Sequence, residues 1–234
     1  MTEEFTTALK EANKAYSDGN HKEALELATD AERIALEMTI QATRKKSWSA
    51  RQVGYKENDE SIRVKMYCIA RTGAQFILDY SRDFEMRNSA IKLLMLLPGS
   101  DIESLCKIGV REVKFAELIN EGEKESWIGE LRNSLGIEVR KTDPRQAMDI
   151  FLSTHETVKS KTVIAGHLMQ NAGTCLLMQM NETKYINMKH YYAHKAIQLL
   201  QKAIDEYPED QKGHRESVKN KINNTKEEIK NNFQ

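Results

Sequence analysis

The sequence predicts an all-α protein, an array of antiparallel helical hairpins with about nine to eleven helices. Three observations lead there. Apolar residues recur mostly with a period of about 3.6, and no convincing alternation of period two occurs. The chain has only 3 prolines, each at a place where a helix begins or ends. Residues 12–36, ANKAYSDGNHKEALELATDAERIAL, set alanines at helical intervals on both sides of one glycine. Alanine puts almost no side chain between two backbones, so such helices approach closely.

Taken in order, a first helix is predicted over residues 3–17 and a second over residues 21–43. Gly19 gives the corner its backbone freedom, and Asn20 with Glu23 has the spacing of a cap. The stretch up to about residue 57 reads as a polar connection. A long helix follows over 59–80 and a shorter one over 84–97, stopped by Pro98-Gly99. Ser100 and Glu103 read as a capping box that opens short helices through residue 120. Further helices are expected over 124–137, 144–160, 162–180, 187–206 and 210–231. Asp143 can cap the helix that Pro144 begins, with Gln146 placed to close a capping box, and Pro208 ends the helix before the last. The last helix is highly charged with a thin apolar stripe of Val218, Ile222 and Ile229, the composition of a helix that covers the end of an array. No low-complexity linker interrupts the chain, which reads as a single domain over 1–234 with a soft division near 98–123.

Lys and Arg total 35 and Asp and Glu total 35, so the formal net charge is zero. With 40% hydrophobic and 30% charged residues the chain has a soluble, globular balance, without a global attraction to nucleic acid or anionic lipid. Any electrostatic function is local. Cys68, Cys106 and Cys175 are far apart and form no CxxC pair, which argues against a disulfide framework or a structural zinc site. The start, MTEEFTTALK, lacks the apolar core of a signal peptide. The longest aliphatic run, LLMLL, is far short of the roughly 20 residues that span a bilayer. A cytoplasmic protein without a membrane span is expected.

Ala12, Asn13, Ala15, Gly19, Ala24 and Ala31 together resemble the tetratricopeptide repeat, a helix–turn–helix unit that stacks into solenoids. Ala147 after the Asp143-Pro144 turn echoes the second helix of such a unit, and Ala196, Leu200, Ala203 and Pro208 echo it more fully. The intervals depart from the family. Ala24 to Ala147 is 123 residues and Ala147 to Ala196 is 49, neither a multiple of the family period of about 34. The resemblance therefore implies a divergent array. It also implies a non-enzymatic adaptor that holds a peptide or helical segment of another protein on its concave face.

Asn13 and Tyr16 of the first helix are candidate partner-binding residues on that reading. In co-chaperone members an asparagine and a lysine four residues before it clamp a C-terminal carboxylate. Asn13 matches the asparagine, but Leu9 stands where the lysine should be. The resemblance places Arg132 and Arg140 toward the groove, where they can pair an acidic or phosphorylated segment; a solvated face is the alternative. Residues 38–56 contain no acid but hold Arg44, Lys45, Lys46, Arg51 and Lys56, with Trp48 and Tyr55 between them. Basic groups neutralise phosphates and aromatic rings stack on bases, so nucleic-acid binding is the second functional reading. The same residues also fit an ordinary connection with Trp48 packed on a neighbouring helix.

Catalytic signatures are absent. His190 and His194 in HYYAH lie at i, i+4, but Tyr191 replaces the glutamate of a metalloprotease helix. No glycine-rich phosphate loop or nucleophile motif occurs, and no cofactor is expected.

Overall fold

The computed structural model describes residues 3–117, 119–158 and 162–232. Among these residues there is no strand. The ten helices are α1 (Glu3–Ser17), α2 (His21–Lys56), α3 (Glu60–Tyr80), α4 (Phe84–Met95), α5 (Ile102–Phe115), α6 (Glu121–Val139), α7 (Pro144–His155), α8 (Val163–Glu182), α9 (Ile186–Glu206) and α10 (Lys212–Asn232). They gather into two units, Met1–Gly99 and Ser100–Gln234.

In the first unit α2 is the spine. Its 36 residues extend about 54 Å at 1.5 Å per residue. α1 runs beside its first part, while α3 and α4 pack on it and on each other. The polar connection expected up to residue 57 is instead the second half of this helix. The inward side there is built from Ser47, Ala50 and Gly54, residues too small to mark an apolar stripe in the sequence. Ser47 Oγ donates to the Thr43 carbonyl at 2.7 Å, so its hydroxyl is satisfied inside the helix. A Cβ on Gly73 would lie 1.9 Å from Ser47 Oγ, so α2 and α3 cross with almost no side chain between them. Gly19 has φ +79°, the left-handed conformation the corner requires. Asn20 occupies the cap position of α2 but makes no cap bond, because its Nδ2 turns to Glu23 at 3.4 Å.

In the second unit each helix packs on the next, and α6 also touches α8. α5 is one helix, capped by Asp101 on the Ser104 N–H at 3.0 Å in place of the expected Ser100–Glu103 box. The capping box of this unit forms at the start of α6, between Asn120 and Glu123. Asp143 caps α7 through the N–H groups of Arg145 and Gln146. Gln146 closes no box, since the Asp143 N–H is bonded to the Val139 carbonyl at 2.8 Å. α7 ends at His155; the expected extension to residue 160 runs into residues outside the described ones.

Two apolar clusters hold the second unit. One joins Ala147 and Phe151 of α7 to Ile164, Leu168 and Ala172 of α8. The other joins Met169, Leu200, Ala203 and Tyr207 to Val218 and Ile222 of α10, so two residues of the thin stripe are buried while Ile229 is half-buried. Ala24, Ala31, Ala196 and Ala203 are all buried, as spacers between helices must be. No helix among the described residues is long and apolar enough to cross a membrane.

Candidate binding site

Two cations are brought together on α8 from opposite sides. Asn133 and Arg140 stand two turns apart on one side of α6, and Asn171 and Thr174 one turn apart on α8. Asn171 Nδ2 donates to Asn133 Oδ1 at 2.9 Å, and Arg140 Nη1 donates to Asn171 Oδ1 at 3.0 Å. From α10, Lys221 Nζ donates to Thr174 Oγ1 at 3.1 Å. All five side chains are half-buried.

Both cations are thus held by neutral oxygens. Neither meets a carboxylate within ion-pair distance among the described residues. Burial first, and the Arg140 guanidinium second, hold the Lys221 ammonium below its ordinary value. Beneath them burial pushes the Cys175 thiol up to about 11, against a smaller opposing pull from Arg140. That thiol is therefore protonated at neutral pH and inert. Two positive groups with spare N–H donors and no counter-charge attract an oxyanion. Lys221 also lines a hollow of 360 Å³ between α8 and α10, with the amide side chains of Asn181, Asn220 and Asn224 around it and Glu228 further along α10.

The residues singled out in the sequence are scattered over several surfaces. Asn13 and Tyr16 are exposed on α1 beside a shallow hollow shared with Leu9, Leu25 and His21, and the Tyr16 ring lies edge-on to His21 at 5.2 Å. Arg132 lies about 80° around the helix from Arg140 and lines a trough shared by α5, α6 and α7. Arg44 and Trp48 are occupied: Arg44 Nε and Trp48 Nε1 both donate to Ser89 Oγ of α4, at 3.1 and 3.0 Å. Lys45 and Lys46 are exposed, and Arg51 sits over the Tyr55 ring at 5.5 Å. A helix turns about 100° per residue, so Lys45, Lys46 and Arg51 look out from three different sides of α2. His190 and His194 belong to no group of three or more metal-ligating residues among the described ones.

None of the protein-family models, curated proteins or solved structures compared with the chain matches it. Asn133, Asn171, Thr174 and Lys221 carried no signal in the sequence, because an Asn, Thr or Lys inside a helix reads as an ordinary solvated side chain. Only tertiary pairing across 31 to 47 residues gives them a role.

Proposed function

We propose that the protein is a non-enzymatic interaction module, a divergent tetratricopeptide-like array of antiparallel hairpins. It takes an extended peptide or helical segment of a partner protein on the side shared by α6, α8 and α10. Arg140 and Lys221 receive an acidic group of that segment, a carboxylate or a phosphoryl, and the neighbouring Asn amides bond its backbone. The observation that carries this reading is the pair of cations on Asn171 and Thr174 without a counter-charge. The packing of α6 on α7, of α8 on α9 and of α6 on α8 supports it, since stacked hairpins bring their first helices into contact.

Fluorescence anisotropy with labelled acidic peptides tests the reading, with free or amidated C-termini and with Ser or phosphoserine. Binding should be saturable for the anionic forms. A hydrogen bond to a charged group contributes about 1.5–3 kcal/mol, so Arg140→Ala or Lys221→Ala should weaken it about tenfold to a hundredfold. No binding by any acidic peptide, or a silent double variant, ends the proposal. Salt-sensitive capture of single-stranded RNA that is lost in Lys45→Glu/Lys46→Glu would move the function to nucleic acid.

A further inference from the structure

The trough that receives Arg132 is a separate surface with its own chemistry. Its volume is 620 Å³, and it lies open along α5 and α7 with α6 as its floor. Half-buried Val110, Leu135, Val139 and Ile150 make the base apolar. Along the α5 side run Lys107, Arg111 and Lys114 at i, i+4 and i+7, and Arg132 adds a fourth cation from α6. The α7 side is neutral, with Gln146 and Ser153. The one carboxylate in the lining, Glu103, is already bonded to Lys107 at 2.6 Å. Arg111, Lys114 and Arg132 meet no carboxylate within ion-pair distance among the described residues.

We propose that this trough docks an amphipathic helix of a partner protein, with its apolar face on the floor and an acidic flank along α5. Three features point to a helix. α5 and α7 each pack on α6 and line the trough together with it, so the surface is a cradle of three helices of the kind that takes a further helix. The cations repeat at the spacing at which a facing helix presents acids at i, i+3 or i+4, and i+7. The trough is open on one side, which suits a helix with a solvated back; an acyl chain needs enclosure on all sides to leave water. Charge on one wall alone also fixes which way round the helix lies. This surface is separate from the α6–α8–α10 site, because none of Asn133, Arg140, Asn171, Thr174 and Lys221 lines the trough, and Arg140 is bonded to Asn171 of α8.

The experiment uses the full chain and two synthetic peptides with the same leucine face, one carrying Glu along one flank and the other Lys. Anisotropy at low salt should show saturable binding of the Glu peptide alone, weakening as salt rises. Arg111→Glu/Lys114→Glu changes exposed residues only and should cost the Glu peptide at least tenfold while conferring binding on the Lys peptide. Arg140→Ala/Lys221→Ala should change neither affinity. Equal binding of both peptides, or no effect of the charge reversal, overturns the proposal. So does dodecanoate binding in the trough at one equivalent while the Glu peptide fails to compete.

Discussion

The two units use small residues in different ways. In the first, Ala, Ser and Gly line a single helix of 36 residues, and helices of 15, 21 and 12 residues share its length. α1 and α3 then touch different halves of α2 and share no surface of their own. In the second, α6, α8, α9 and α10 have 19, 20, 21 and 21 residues but α7 has only 12, so α6 reaches past the short α7 and touches α8. Close approach through alanine and glycine is therefore not enough to gather polar side chains of several helices on one side. Helix lengths decide whether such contacts stack side by side, and only the second unit brings polar side chains of α6, α8 and α10 together.

That contrast can be strained first at its glycines. A Cβ on Gly136 would lie 2.5 Å from the ring of Phe151, which is wholly buried and has nowhere to retreat. Gly136→Ala should cost about 3 kcal/mol, the upper range for overpacking, and lower the thermal midpoint by about 6–12 °C. Gly73→Ala in the first unit meets mainly the Ser47 hydroxyl, which can swing aside and give up its bond to Thr43. Its cost should be nearer 1 kcal/mol. Equal midpoints for the two variants in a thermal scan would show that the first unit is packed as tightly as the second.

A smaller effect is expected at the α2–α4 contact. Trp48→Phe removes the indole donor to Ser89 and keeps the ring, which should cost about 1 kcal/mol in denaturant unfolding. If Trp48 were free to stack on bases, the same change would leave stability alone.

The smallest concerns pH. His167 of α8 lies among Tyr207 and His214, with ring centres 5.6 and 5.0 Å away. Burial first, and the His214 ring second, hold its pKa below the ordinary 6.5. The unfolded chain then takes up this proton more readily, so stability from this group is full above about pH 6.5 and falls as the solution is acidified. The difference in unfolding free energy between the native chain and His167→Gln should shrink between pH 7 and pH 5. A constant difference would place the ring in ordinary contact with water.

Much of the fold was legible in the residues themselves. α1 has the ends predicted, the Asp143-Pro144 start and the Pro208 stop hold, and the stripe of α10 is buried where Val218 and Ile222 promised. The failures have separate causes. The second half of α2 turns inward with Ser47, Ala50 and Gly54, whose small size leaves no periodic trace, and the α5 cap at Asp101 was hidden by an equally plausible Ser100–Glu103 pair. Of the candidate site, Arg140 was singled out only through the repeat resemblance, since the predicted helix stopped at residue 137, and Lys221 was not singled out, because its neighbour on α8 is 47 residues away. In the basic run at 44–56 charge is visible in the sequence and orientation around a helix is not: Arg44 and Trp48 point at Ser89, in keeping with the alternative of Trp48 packed on a neighbouring helix.

The attachment of α1 carries a consequence for motion. Its buried residues are Ala12 and Ala15, and Ala24 and Ala31 answer them on α2. Methyl groups remove little surface from water, so peeling this helix away exposes far less apolar area than freeing α8 would. Transient local opening therefore begins at the amino end, where backbone amides trade their hydrogens with solvent soonest, while the centre of the second unit waits for global unfolding.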